Sequence, residues 1–122
     1  MVPLTSSGRT YLPERRSSPI PNSTKQWAAI DTIVKTVNAS YFGIVRFPTP
    51  EKRAVAYFCY IIKNHSVTDG NKRLAVLWFE VYCEVQGLWP RQDVALDLLA
   101  IAIEKTGATM EELLDSAYQI LF

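Results

Sequence analysis

The sequence is poor in the residues that most often bind transition metals or form disulfides. It contains one histidine, His65, and two cysteines, Cys59 and Cys83. These three residues do not have the spacing of a zinc site, so no such site is predicted. Both cysteines lie within apolar stretches of helical length, which favours buried free thiols.

The sequence also lacks long hydrophobic runs and an excess of charge of one sign. No apolar run approaches the roughly 20 residues that a membrane-spanning helix needs. Its first residues lack the apolar core of a signal peptide, so we expect a cytoplasmic location and no membrane partner. The 13 basic and 12 acidic side chains leave a formal net charge of +1. This balance provides no broad basic field, and no nucleic-acid partner is expected.

The sequence does contain enough apolar material for one packed domain. It has 122 residues, of which 48% are hydrophobic, and this length suffices for a single core. The first 22 residues differ from the rest, because they hold four of the seven prolines, three arginines and several serines. We therefore predict a Pro/Ser-rich N-terminal arm over residues 1–22 and one compact domain over residues 23–122.

Helix-start signals and apolar periodicity predict a mainly helical domain. Ser23–Gln26 has the form of a capping box, and the apolar spacing after it predicts a helix from about Thr24 to Ala39. We expect Trp27 of this helix to lie in the core. Thr49–Pro50 marks the start of a second helix. Thr109–Glu112 is a second capping box, which opens the last of five or six predicted helices.

The helix predicted from Asn71 to about Gln86 is apolar on almost all its faces, so we expect it to be the central helix of the bundle. One stripe of this helix carries most of its large apolar side chains, at Leu74, Leu77, Trp78, Val81 and Val85.

Tyr41–Phe47 is a short aromatic and β-branched stretch that ends at Pro48. Its composition and length predict a loop or small hairpin rather than a helix. One interpretation is an ordinary connection whose aromatics pack inward.

The most polar stretch between two apolar helices is His65–Arg73, with the sequence HSVTDGNKR. His65 is the residue type best suited to accept a proton from a hydroxyl near neutral pH. Gly70 permits a tight turn with close backbone approach, and Asn71 would then begin the next helix. A helix start presents unpaired N–H groups and the positive end of the helix dipole, which together bind anions.

The charged residues of this stretch suit a phosphate-bearing ligand. Lys72 and Arg73 add positive charge at the helix start, and a guanidinium can donate two parallel hydrogen bonds to phosphate oxygens. Asp69 lies just before the glycine, where a carboxylate oxygen could hold Mg²⁺ against the same phosphates. The alternative is that His65 is a structural residue, that Asp69 and Gly70 form an ordinary turn, and that the two cations are solvated.

The order of these residues resembles the signature of the Fic/Doc family, His-Pro-Phe-x-x-Gly-Asn-Gly/Lys-Arg with an acid before the first glycine. His65, Asp69, Gly70, Asn71 and Arg73 stand at matching positions. Lys72 matches the Doc-like variant, which has Asn-Lys-Arg. Ser66 and Val67 depart from the usual proline and phenylalanine, and the family's phenylalanine anchors the loop in the core.

The resemblance implies an all-α fold, a compact helical bundle with a flap-like loop or hairpin near residues 41–47 that lies over a target peptide. It also implies a transferase that uses Mg²⁺ and ATP, or a related nucleotide, to modify a Ser, Thr or Tyr hydroxyl of a target protein. His65 would be the general base and Asp69 the metal ligand. The nucleotide phosphates would be bound by Gly70, Asn71, Lys72 and Arg73.

Three functional alternatives follow from the resemblance. Lys72 favours Doc-like phosphotransfer, whereas Gly70 matches the relatives that transfer AMP. Ser66 and Val67 favour a non-catalytic binding module that keeps the fold. The self-silencing motif of many Fic proteins, [Ser/Thr]-x-x-x-Glu-[Gly/Asn], does not occur in the sequence. The resemblance therefore also suggests the toxin of a toxin–antitoxin pair, restrained by an antitoxin or another inhibitor protein in trans.

Overall fold

The computed structural model describes residues 24–64 and 71–122. These residues form five helices and one two-stranded hairpin, which confirms the predicted all-α fold class. In chain order the elements are α1 (Thr24–Val37), β1 (Ser40–Tyr41), β2 (Ile44–Val45), α2 (Pro50–Lys63), α3 (Asn71–Gln86), α4 (Leu96–Lys105) and α5 (Met110–Leu121).

The central helix is α2, so the expectation that α3 is central was wrong. Eight of the 14 residues of α2 are buried, and α2 packs against each of the other four helices. It begins where predicted: the Thr49 hydroxyl accepts a hydrogen bond from the Lys52 backbone N–H, and Pro50 occupies the first turn, where it removes no helical hydrogen bond.

The buried row of α3 differs from the predicted stripe. Its buried apolar residues are Leu74, Ala75, Phe79 and Cys83, whereas Leu77, Val81 and Val85 are exposed. The reason is that α1 packs on α2 and makes little contact with α3. Within residues 24–64 and 71–122, no helix therefore covers the outer stripe of α3. Trp27 was also expected in the core, but 51% of it is exposed.

The predicted loop or hairpin is a hairpin. Strands β1 and β2 pair in antiparallel register, Ser40 with Val45 and Tyr41 with Ile44. Between them, Phe42 and Gly43 have φ values of 54° and 79°, and two consecutive positive φ angles are the geometry of a tight type I′ turn. Tyr41 and Phe42 are exposed, which rules out the inward-packing interpretation for these two aromatics.

The last two helices close the bundle. α5 begins at the predicted capping box, in which Thr109 and Glu112 exchange side-chain-to-backbone hydrogen bonds of 2.9 and 3.2 Å. Leu113, Ala117 and Leu121 of α5 are buried against the core. Within the described part of the chain, no helix is long and apolar enough to cross a membrane.

The two cysteines are expected to be unreactive in the folded protein. Burial raises the pKa of the Cys59 thiol to about 12. Burial, with smaller contributions from the carboxylates of Glu51 and Glu80, raises the pKa of Cys83 to about 11. Because the thiolate is the nucleophile, iodoacetamide at pH 8 should leave both thiols unmodified in native protein and alkylate both in 6 M guanidinium. Intact-mass spectrometry measures this, and rapid alkylation of native protein would contradict it.

Candidate active site at the start of α3

The stretch with the candidate catalytic residues lies between α2 and α3. His65, Asp69 and Gly70 lie outside the described residues, so their predicted roles stay predictions. The structure does describe both flanks of this stretch, Asn64 at the end of α2 and Asn71 at the start of α3. The Asn71 side-chain amide donates a hydrogen bond to the backbone carbonyl of Asn64. This bond joins the end of α2 to the start of α3.

Asn71 itself is buried, with 9% of its surface exposed. Its Nδ2 group is used in the bond to Asn64, but within the described residues no donor reaches its Oδ1 atom. A buried acceptor without a partner costs about 1–3 kcal/mol. A hydrogen-bond donor that came from residues 65–70 or from a ligand would recover that energy, so the start of α3 is a favourable place for an additional polar group.

The first turn of α3 has a charge pattern that is unfavourable for a helix by itself. The turn contains no acidic residue, and Lys72 and Arg73 follow Asn71 directly. Helix starts favour negative charge, by about 0.3–1 kcal/mol per group, because their unpaired N–H groups and the helix dipole are positive. Two cations at that end therefore add to the positive potential. An anion bound there would be attracted by both cations and by the helix start.

Lys72 already has one anionic partner. Its Nζ atom lies 3.0 Å from Oε1 of Glu104 near the end of α4. The two side chains are 36% and 45% exposed, and a pair of this kind contributes about 0–1 kcal/mol. A phosphate could therefore compete with Glu104 for Lys72 at little cost. Arg73 is exposed at the same helix start.

A second lysine connects α2 with α4. Lys63, in the last turn of α2, donates to the backbone carbonyls of Glu104 and Thr106 at 3.3 and 2.9 Å. The end of α4 therefore contacts two lysines, Lys63 before residues 65–70 in the sequence and Lys72 after them. Sequence analysis missed these contacts because the partners are 32 to 43 residues apart, and no local pattern reports such a pairing.

The described part of the chain offers no independent site for a metal ion. Among residues 24–64 and 71–122, no group of three or more His, Cys, Asp or Glu side chains is arranged to hold one. The magnesium prediction therefore depends on Asp69 together with oxygens of the nucleotide. A magnesium ion held in this way is compatible with the positive charge at the start of α3, because Mg²⁺ usually binds through one or two carboxylates plus substrate phosphates.

Comparison with known proteins gives one family. The sequence model of the Fic/DOC family matches residues 6–83, which is more than half of the chain and extends from before α1 into the last turns of α3. Neither a curated protein nor a solved structure matched this chain.

Proposed function

Because the chain belongs to the Fic/DOC family, we propose that it transfers a phosphate-containing group from ATP or a related nucleotide to a hydroxyl of a target protein. Family membership by itself indicates a nucleotide-transferring, protein-modifying function. The observation that carries the finer proposal is the start of α3, where Lys72 and Arg73 stand in a first turn without an acidic residue. An anion bound at this helix start would be attracted by both cations and by the unpaired N–H groups of the first turn.

The described residues would bind and orient the donor nucleotide. The first N–H groups of α3 would donate to a phosphate oxygen, and Arg73 would add a bidentate contact. The unpartnered Oδ1 atom of Asn71 cannot bind phosphate oxygen directly, since both are acceptors. It would instead accept a bond from the backbone or a side chain of residues 65–70 and so hold that stretch against α3.

The remaining roles belong to the residues between α2 and α3. His65 would accept the proton of the target hydroxyl as this oxygen attacks phosphorus, and the nucleotide's leaving group would depart with the bonding electrons. Asp69 would hold Mg²⁺, which when bound supplies positive charge to the phosphates. Gly70 would let the backbone approach the phosphates closely.

The hairpin is suited to hold the target. Each of its strands has one edge that faces away from the other strand, and its side chains are exposed: Tyr41 at 62%, Phe42 at 104% and Ile44 at 73%. An extended peptide can add to such an edge through backbone hydrogen bonds, with side-chain contacts giving specificity. We propose that a segment of the target protein pairs with the hairpin and brings its Ser, Thr or Tyr to the start of α3.

The position of Lys72 supports phosphotransfer over AMP transfer. In phosphotransfer the target oxygen attacks the γ-phosphorus and ADP leaves, whereas in AMP transfer it attacks the α-phosphorus and pyrophosphate leaves. Lys72 occupies the place that a glycine holds in the AMP-transferring members. A lysine side chain there fills space beside the donor phosphates and adds a point charge, and both effects change how the phosphates lie.

Two isotopic labels of ATP separate these reactions. The purified protein is incubated with Mg²⁺, cell lysate and ATP labelled at either the α- or the γ-phosphate. Phosphotransfer is expected to label, from γ-labelled ATP only, a protein band that is absent when the protein is replaced by His65→Ala. Label from α-labelled ATP only would instead show that the protein transfers AMP. Absence of label from either nucleotide, across several donor nucleotides and divalent metals, would favour the non-catalytic binding module.

Growth of a bacterial host tests whether such an enzyme needs an inhibitor in trans. If the transferase modifies cellular proteins without restraint, expression of this chain alone should slow growth, and His65→Ala should restore it. Normal growth with abundant, folded wild-type protein would contradict the toxin proposal without deciding the reaction. The labelling experiment remains the test of the reaction.

The pairing of Lys72 with Glu104 predicts a change in nucleotide affinity. Glu104→Gln removes the carboxylate that competes with phosphate for Lys72, so the Kd for ATP with Mg²⁺ should fall by up to about fivefold, which corresponds to about 1 kcal/mol. Glu84→Gln removes the same charge near the other end of α3 and should leave the Kd unchanged. Isothermal titration calorimetry at fixed ionic strength measures both. An unchanged Kd in Glu104→Gln and in Lys72→Met would show that Lys72 does not contact the phosphates.

A further inference from the structure

An apolar groove lies on α3 beside its packing against α2, where the rings of Trp78 and Tyr82 contact Tyr57 of α2. It runs between the start of α1 and the outer stripe of α3 and has a volume of about 470 Å³. Its walls are almost entirely apolar, and the residues that form most of it are Trp27, Leu77, Trp78, Val81, Tyr82 and Val85.

Several apolar side chains of this groove are largely exposed to solvent, although burial of apolar surface is favourable. Leu77, Val81 and Val85 are exposed by 41%, 50% and 74%, and Trp27 by 51%. Single exposed apolar residues are ordinary on a protein surface, but a contiguous apolar patch that includes an indole marks a surface suited to bind another apolar surface.

We propose that residues 1–23 of this chain lie in the groove and cover the outer stripe of α3. The first argument is continuity. The segment joins α1 at Thr24, three residues before Trp27, which is less than one helical turn. The chain that precedes α1 therefore enters the fold beside one wall of the groove.

The second argument is length and composition. The stripe from Leu74 to Val85 is about 17 Å long at the rise of an α-helix, and about five or six extended residues span that distance. The segment has 23 residues and includes the apolar side chains Val2, Leu4, Tyr11, Leu12 and Ile20. The match to the family model begins at residue 6, so most of this segment belongs to the part of the chain that the family shares.

The third argument is charge. Glu80 and Glu84 follow Leu77 and Val81 by three residues, so both carboxylates lie along one side of the stripe, and both residues are exposed. The segment carries three arginines, Arg9, Arg15 and Arg16, against one acid, Glu14. A basic, partly apolar strand of chain therefore complements an apolar groove with an acidic edge.

The same charges disfavour a second copy as the occupant. In a symmetric dimer the same patch would meet itself, so the acidic edges of the two copies would face each other or lie unpaired at the contact. The segment of residues 1–23 requires no such juxtaposition.

Site-specific crosslinking in the full-length chain tests the proposal directly. The photoreactive residue p-benzoylphenylalanine is introduced in place of Leu77 and, as a control, in place of Leu98, an apolar residue of α4 that is 67% exposed outside the groove. After irradiation and proteolysis, crosslinks from position 77 to peptides within residues 1–23 of the same chain are expected, and none from position 98. Crosslinked dimers, or no crosslink from position 77 to residues 1–23, would overturn the proposal.

Amide hydrogen exchange gives a second, independent measurement. Val81→Asp places a charge in the groove at a half-exposed position, whereas Leu98→Asp places the same charge elsewhere. We expect amides within residues 1–23 to exchange at least about tenfold faster in full-length Val81→Asp than in wild type, with Leu98→Asp unchanged. Protection of α2 verifies that each variant is folded. Equal exchange of residues 1–23 in all three proteins would contradict the proposal, whatever the outcome of the labelling experiment.

Discussion

Replacing His65 with alanine is expected to reduce the rate of label transfer from nucleotide to protein by about 10²–10⁴-fold, the usual contribution of a positioned general base. The chain has no other histidine that could substitute for it. The residues at the start of α3 that we propose bind the nucleotide are unchanged in this variant, so the Kd for ATP should stay within about twofold of wild type. A large loss of rate with little loss of affinity is the signature of a group that acts on the reacting proton.

Two controls separate this catalytic effect from a loss of structure. The melting temperature of His65→Ala should stay close to that of wild type, because the substitution leaves the buried core residues of α1 to α5 unchanged. Added imidazole should restore part of the rate, since it can replace the missing base without restoring any packing. Wild-type activity in the variant would exclude His65 as the base. Activity lost together with the melting transition would show that its role is structural.

Much of the helical architecture could be predicted from local signals. The starts of α2 and α5 follow from Thr49–Pro50 and from the capping box at Thr109–Glu112, because these residues satisfy N–H groups within one turn. The start and end of α3 were also predicted correctly, at Asn71 and Gln86. The aromatic and β-branched composition of Tyr41–Phe47 predicted a loop or small hairpin, and the structure has a hairpin there. Each of these signals depends on neighbours in sequence.

The arrangement of the helices could not be predicted in the same way. Apolar periodicity shows that a face of a helix is apolar, but not which element covers it. The stripe with Leu77 and Val81 is as apolar as a core stripe, yet α3 buries the neighbouring row through Phe79 and Cys83 instead. Trp27 was misplaced for the same reason. Which helix is central depends on packing among four partners, and that information is not local.

The candidate site also combines features that local sequence signals predict with contacts that they do not. The order of residues from His65 to Arg73 predicts that two cations follow Asn71 at a helix start, and the structure has this arrangement. The contacts that connect this helix start to the rest of the fold were not predictable. They include the bond from Asn71 to Asn64 and the ion pair of Lys72 with Glu104, which is 32 residues away. The roles of His65, Asp69 and Gly70 stay predictions for the experiments above.

Phe58→Ala is expected to have the largest effect on stability. Phe58 lies in α2 with none of its surface exposed, and its ring lies 5.5 Å from that of Phe79 in α3. The Phe79 ring in turn lies 6.1 Å from Phe122 at the end of α5, so one aromatic cluster joins three helices. Truncation removes the ring from the centre of the domain, and neighbouring rigid helices cannot fully close the cavity. The expected loss is about 3–5 kcal/mol of unfolding free energy.

Phe42→Ala is the matched control, because it removes the same atoms at the tip of the hairpin, where Phe42 is fully exposed. Its unfolding free energy should change by no more than about 0.5 kcal/mol, while Phe58→Ala should lower Tm by roughly 10–20 °C. Urea denaturation gives the unfolding free energies and thermal scans give Tm, both followed by circular dichroism. If Phe42→Ala also lowers transfer to the target protein without altering the Kd for ATP, the hairpin acts in target binding. Equal stability losses in the two variants would contradict the assignment of Phe58 to the core.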